Sequence, residues 1–407
     1  MNKGFISVYL VLLAFCAQGQ VRIDLDDRCK PGDPVLVGVR VGDKIFSRDT
    51  LTPGQNSVDL SAGMYALVRS GVLLGDLLVV SDEQPLVKVY CDSISCSRSP
   101  VNEAFFRFVR SNDSTKKDVY ASASGTAKSV LNWCYPQLEV AALPQKDLTN
   151  KRLNELYLKT LVDSKSFIVN TPFFELNLDY YLSNLINQDP DTLIKYIRNM
   201  EAVLSGDVED YFLRFVLHRY ESSKILGQEN VFIDVALRNL GNGRVLFDSA
   251  TDFNVLNKAK QLYPNRIGEQ VSDFPMYSTQ KSGAENFINS TGVYKLLVFF
   301  DPDCHHCKES FPDIVRFANT YRDAGVHVYA VSTGIDSDEL QRFISEFGTS
   351  SNLHYRWDPN VSSKTFRDRY YIPSTPTIYL VSGSGRCLAR GIASSELNTL
   401  FSHIVNN

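Results

Sequence analysis

The residues best placed to do chemistry are Cys304, His305, His306 and Cys307, two thiols three positions apart with two imidazoles between them. A deprotonated thiol attacks a disulfide sulfur, and a second thiol within reach can then resolve the mixed disulfide. Three residues make about one helical turn, which brings the second sulfur close beneath the first. The run from Lys295 to Asp301, with Leu-Leu-Val-Phe-Phe at its heart, reads as a buried strand, and a helix follows the motif. Cys304 is therefore expected at a helix mouth, among unpaired backbone N–H groups and the positive end of the helix dipole, both of which favour the thiolate. That makes Cys304 the expected attacking thiol and Cys307 the resolving one. His305 and His306 can add a hydrogen bond or partial positive charge. Each unit of thiol acidity is worth about 1.4 kcal/mol, or roughly 30 mV of reduction potential, so the pair pushes toward oxidising strength. Zinc also takes thiolate and imidazole ligands. No second Cys-x-x-Cys or His-x-x-x-His stands at ligand spacing, so no metal is expected. The cysteine pair is itself the redox group, and no organic cofactor is needed.

The elements that must position this motif can be read along the chain. Val326 to Ser332 is a second strand, Ser337 to Phe347 a helix and Ser362 to Tyr370 another. Thr377 to Val381 is a strand, Gly383-Ser384-Gly385 a tight turn, Cys387 to Ile392 its partner, and Ser394 to Val405 a closing helix. This order predicts an α/β domain with a mixed sheet over residues 264–407. Upstream, residues 99–263 show helical spacing in Leu153, Leu156, Tyr157 and Leu161, in Leu193, Tyr196 and Ile197, and in Phe212, Phe215, Val216 and Tyr220. Asp189-Pro190 is a good helix start, and Pro136 and Pro144 flank an expected hinge. Residues 20–98 hold short strands at Val35 to Val39, Ser57 to Leu60, Met64 to Val68 and Leu86 to Tyr90, which predict a small β-sandwich.

At 407 residues, with 44% apolar and 22% charged residues, the chain has the composition of a globular protein of two or three domains. A net charge of -4 without a basic block disfavours nucleic-acid binding. Residues 1–19 read as a signal peptide: Lys3, the apolar run Phe5 to Ala14, then the small-residue cleavage site Ala17-Gln18-Gly19. The run is short for about 30 Å of hydrocarbon. Cys16 would permit a lipoprotein, although Phe15 before it fits that processing poorly. The expected location is thus the periplasm or cell envelope, where thiols tend to be oxidised. After cleavage Cys29, Cys91, Cys96, Cys134, Cys304, Cys307 and Cys387 remain, an odd number that leaves one thiol unpaired within the chain. Cys91 with Cys96, close enough in sequence to close a small loop, and Cys29 with Cys134 are the expected pairings. Cys387 is expected buried on a strand, and His218, His327, His354 and His403 at core edges or on the surface. Asn112, Asn289 and Asn360 open glycosylation triplets that arise readily by chance.

With these residues identified, residues 265–407 resemble the ResA/TlpA-like branch of thioredoxin-family proteins. The stretches that carry the resemblance are Ile267-Gly268 through Phe274, Leu297 to Phe300, Cys304 to Cys307, Phe311-Pro312 and Pro376-Thr377. The helix between Val331 and Trp357 resembles that branch's insertion. The resemblance implies a thioredoxin-like α/β fold in which Pro376 is a cis-proline facing the motif. Thr375 before it would offer backbone to an extended client strand. Pro373 is the competitor, ranked lower because the strand begins after Pro376. Three departures stand out. Asp303 replaces a tryptophan beside the first cysteine, Val298 a buried aspartate, and Ser310 an active-site glutamate. Glu309, one residue early and about 100° round the helix, is with His306 and water a candidate for proton transfer. The front two-thirds more weakly resemble accessory regions of Bacteroidetes-type thioredoxin-like proteins. The expected activity is thiol–disulfide exchange on cysteine-containing envelope proteins, regenerated by a partner thiol–disulfide protein, for which a membrane-bound one is a candidate. The alternatives are a client-binding module in which the redox domain is secondary, and an oxidase that donates disulfides.

Overall fold

The computed structural model describes residues 19–25, 34–41, 44–80, 83–135, 155–159, 161, 169, 171–278, 283–334, 336–358 and 366–405. The expected signal peptide up to position 18, with Cys16, and likewise Cys29, Pro136, Pro144, Leu153 and Asn360, lie outside the described residues. The chain divides into two compact units, Met1–Phe215 and Val216–Asn407.

The first unit opens with eight strands: β1 (Gly19–Leu25), β2 (Val35–Val41), β3 (Lys44–Leu51), β4 (Gly54–Leu60), β5 (Gly63–Arg69), β6 (Val72–Val79), β7 (Leu86–Val89) and β8 (Ile94–Ser97). They form two four-stranded sheets, ordered β4-β1-β7-β8 and β3-β2-β5-β6. Alternate residues of both, among them Val21, Ile23, Val35, Val37, Leu67, Leu77, Val87 and Val89, close one aliphatic core. This is the expected β-sandwich. β1, β3 and β6 escape the sequence reading because charged residues interrupt their apolar ones, and β8 because its four residues, Ile-Ser-Cys-Ser, are too few to register. Helices follow at Pro100–Arg110, Asp113–Ser122, Gly125–Cys134, Pro172–Tyr180 and Pro190–Glu201. Ser99 caps the first, and the buried Asn102 amide bonds both the N–H and the carbonyl of Leu78 at 2.8 and 2.6 Å, fastening that helix to β6. Asp189 caps the last through the N–H of Thr192, with Pro190 at its first turn as the sequence suggests.

Two cysteine pairings need correction. Cys91 is disulfide-bonded, yet Cys96 and Cys134 are both free, so neither Cys91–Cys96 nor Cys29–Cys134 forms. A hairpin explains the first: β7 and β8 pair Val87 with Cys96, so the residue across the ladder from Cys96 is a valine.

The second unit carries helices Glu229–Asn239 and Ser249–Leu262 ahead of the α/β domain. Polar contacts tie these two helices to the α/β domain. Arg390, almost fully buried, pairs with Glu229 at 2.5 Å and donates to the Leu262 carbonyl at 3.0 Å. Asn230 donates to the Ile267 carbonyl at 3.0 Å. After a hairpin of β9 (Pro275–Tyr277) and β10 (Ala284–Asn286) come β11 (Tyr294–Phe300), β12 (Val326–Ser332), β13 (Leu353–Arg356), β14 (Thr377–Ser382) and β15 (Cys387–Arg390). The sheet order is β13-β12-β11-β14-β15, with β11, β12 and β13 parallel and β14 and β15 antiparallel. Leu296, Val298 and Phe300 of β11 face one core layer, with Phe311, Ile314, Phe343, Leu397 and Phe401 from helices. Leu297 and Phe299 face the other, with Phe274, Phe287, Phe366 and Tyr370. Both faces are covered, so β11 reads as a continuous apolar run. The fold is thioredoxin-like. β13 was missed because its four residues, Leu-His-Tyr-Arg, alternate apolar with polar over too short a length to register.

Candidate functional site

β11 ends at Phe300, and Asp301-Pro302-Asp303 turns the chain into the helix His305–Thr320. Two bonds close that turn: the Asp303 N–H donates to Asp301 Oδ1 at 2.9 Å, and the Cys304 N–H to the Asp301 carbonyl at 3.1 Å. Cys304 occupies the helix N-cap with extended backbone, φ -71° and ψ 121°. Its carbonyl accepts the first bonds of the helix, from the N–H groups of Cys307 and Lys308 at 3.1 and 3.2 Å. The side chain is half-buried, whereas Cys307, one turn on, is fully buried among Val298, Phe300 and Phe311. Both are free thiols.

The second component arrives through sheet register. β14 pairs with β11 so that Thr377 lies opposite Phe299, which sets the residues just before Thr377 beside the chain leaving β11. The Thr375–Pro376 bond is cis, and the Cys304 thiol donates to the Thr375 carbonyl at 3.4 Å. Thr377 Oγ1 donates to the Ser374 carbonyl at 2.5 Å and closes the loop.

The electrostatics divide the two sulfurs. Cys304 is held below the ordinary thiol range, first by a hydrogen bond from the Thr375 side chain and then by bonds from Cys307 and the backbone N–H of His306, against the cost of partial burial. Burial pushes Cys307 up to about 11, despite bonds from the Asp301 backbone and Thr375 that favour its thiolate. At neutral pH one sulfur is primed and accessible, the other protonated and enclosed. The remaining free thiols differ from Cys304 in the same direction as Cys307. Burial raises Cys96 and Cys387 to about 12, and raises Cys134 as well.

His305 and His306 project from the first turn, and their rings meet Glu309: His305 Nε2 to Oε1 at 3.2 Å, His306 Nδ1 to Oε2 at 3.2 Å. It is thus the His306 backbone, not an imidazole, that acts on the Cys304 sulfur. Val298, fully buried in the same core layer as Cys307, and Ser310, half-buried, are valine and serine, so neither position supplies a carboxylate. Asp303 is exposed. Asp301 was missed as a site residue. Its signal in the sequence is weak, an acidic residue at the end of a buried strand, and its part is to close the turn, its Oδ1 accepting from the Asp303 N–H and its carbonyl from the Cys304 N–H. Among the described residues, no group of three or more histidine, cysteine, aspartate or glutamate side chains converges in a way that could hold a metal ion. Among the same residues, no helix is long and apolar enough to cross a membrane.

Residues 292–387 match the family model of thioredoxin-like proteins. Similar solved structures include a thioredoxin-like protein from Bacteroides caccae, with 15% identity and a TM-score of 0.47 over 64% of this chain and 97% of that one. The thioredoxin domain of a thiol-disulfide oxidoreductase from Bacteroides vulgatus shows 21% identity and a TM-score of 0.31, over 34% of this chain and 98% of that one. A thiol:disulfide interchange protein from Bacteroides sp. shows 22% identity and a TM-score of 0.31, over 35% and 91%. No curated protein matches the chain.

Proposed function

Because the carboxy-terminal domain is thioredoxin-like, we propose that this protein is an exported thiol–disulfide oxidoreductase that reduces or exchanges disulfides of envelope proteins through Cys304 and Cys307. The observation that carries the reading is the contrast between the two sulfurs, one lowered and accessible at the helix mouth, the other buried and raised to about 11. The Cys304 thiolate attacks one sulfur of a client disulfide. The client S–S bond breaks, a mixed disulfide forms, and the first client sulfur departs as a thiolate that takes a proton from water. Cys307 then attacks the Cys304 sulfur. Its proton goes to the second client sulfur, which leaves as a thiol, and the Cys304–Cys307 disulfide remains. The client gains two electrons and the protein loses two. Thr375 and the cis Pro376 are the proposed client-facing residues, since the Thr375 carbonyl already lies within hydrogen-bonding reach of the attacking Cys304 sulfur. A partner dithiol protein, with a membrane-bound one as a candidate, would restore the reduced pair. The proposed location, periplasm or cell envelope, is supported by the signal-peptide pattern read in residues 1–19: Lys3, the apolar run Phe5 to Ala14 and the small residues Ala17 and Gly19.

Insulin reduction by dithiothreitol, followed by turbidity, tests the reading. Wild type should accelerate precipitation, and Cys304→Ser and Cys307→Ser should not. A wild-type rate no faster than the variants rejects it. The reduction potential against glutathione then sets direction: a value at the reducing end supports the reductase and one at the oxidising end the disulfide-donating oxidase.

A further inference from the structure

Glu309 stands against both histidines of the motif, and the role assigned to it below rests on the redox reading of Cys304. The two oxygens of its carboxylate are shared between the two imidazoles of the motif, one each, at 3.2 Å. Both rings are otherwise open to water, each side chain being 80% exposed. Glu309 lies four residues after His305 and three after His306, the two spacings that place side chains side by side on a helix face. Both rings are therefore turned back along the helix, toward its second turn. Neither imidazole is among the groups acting on the Cys304 sulfur, whose partners are Thr375, Cys307 and the His306 backbone. An untethered imidazole in the first turn could swing over the helix mouth. There its N–H, and its charge once protonated, would stabilise the thiolate.

We propose that Glu309 is a positioning residue that holds both imidazoles of the motif off the Cys304 sulfur and so keeps the cysteine pair toward the reducing side. Stabilising a thiolate stabilises the reduced form and makes the disulfide more oxidising. A motif with two histidines would by composition tend that way, and the clamp opposes it. The other charged groups around this mouth are Asp301 and Asp303 before the helix, Lys308 in its first turn, and Asp336, Glu339 and Arg342, of which Glu339 is raised by desolvation and by Asp303, Asp336 and Asp301. A substitution at Glu309 leaves all of these residues in the chain, common to every protein compared.

The test is the pH profile of Cys304 alkylation by iodoacetamide in the reduced full-length chain, read by peptide mass between pH 5 and 9. Four proteins form a cycle: wild type, Glu309→Ala, His305→Ala/His306→Ala, and all three substitutions together. Glu309→Ala should shift the profile to lower pH and raise the rate at pH 6 about three- to tenfold, half to one unit of thiol acidity. In the background without histidines the same change should alter the rate by less than about twofold, the effect of one screened surface charge. Glu309→Gln, nearly identical in shape, should shift the profile in the same direction and guards against a disturbed helix. An unchanged profile overturns the proposal, as does a shift of equal size without the histidines. Alkylation needs no turnover, so a chain that fails to reduce insulin would sink the redox reading while leaving this result readable.

Discussion

The two ends of β11 carry polar side chains under opposite rules. At its start, Lys295 is buried to 1% exposure, and its ammonium donates to the carbonyls of Ile288 at 2.6 Å and Phe287 at 3.3 Å. On the neighbouring strands His327 Nδ1 and His354 Nε2 share a proton at 2.9 Å, and the Tyr329 hydroxyl donates to the Thr291 carbonyl at 2.7 Å. Burial is the leading cause of every resolved shift here, and it favours the neutral form. It lowers Lys295 and His327, lowers His354 to about 4 with help from Arg356 and His327, and raises Tyr329. At the other end, Cys304 is only half-buried and its leading cause is a hydrogen bond to the charged form. Closed polar clusters hold structure together, because each donor is already committed to a carbonyl or ring nitrogen. Reactivity resides where a group is bonded enough to ionise yet open enough to be attacked.

Removing the reactive sulfur should give the largest effect. Cys304→Ser should abolish covalent capture of clients, whereas Cys307→Ser should accumulate mixed disulfides on non-reducing gels. Equal capture by both would erase the distinction between the sulfurs. Next, alkylation of Cys304 should begin below the pH at which an ordinary cysteine reacts, about 8.5, while Cys307, near 11, stays silent at neutral pH. Simultaneous labelling of both would break the comparison.

The closed end should answer through stability instead. Lys295→Ala deletes a buried stem and leaves two carbonyls short of a donor, a loss of about 2–4 kcal/mol in urea unfolding. The alkylation profile of Cys304 should not move. The smallest effect is that of His354. Its folded-state value lies below the 6.5 of the unfolded chain, so as pH falls the unfolded chain takes up the proton first. Stability present above pH 6.5 should fall between 6.5 and about 4, by on the order of 1 kcal/mol after solvent screening. His354→Gln should flatten that slope, and an unchanged slope would show that the pair stays open to water.

Much of the α/β domain was legible because its strands are covered on both faces and so form unbroken apolar runs. Val326–Ser332 and Ser337–Phe347 came out at their observed bounds. The sandwich strands were harder, since polar residues outnumber apolar ones in Lys44–Leu51 and equal them in Ile94–Ser97. His327 and His354 read as unremarkable residues. Strands β12 and β13, twenty residues apart in the chain, bring their rings into contact.

What the sequence by itself determined is local: two sulfurs one turn apart, a helix that begins at the first, and a proline ahead of a strand. These follow from helical pitch and apolar periodicity, which act within a dozen residues. Tertiary structure decided the rest. Register between β11 and β14 set the Thr375 carbonyl against Cys304, packing enclosed Cys307, and side-chain geometry gave both imidazoles to Glu309. Acidity depends on partners and on water, and both are chosen by parts of the chain far from the group that titrates.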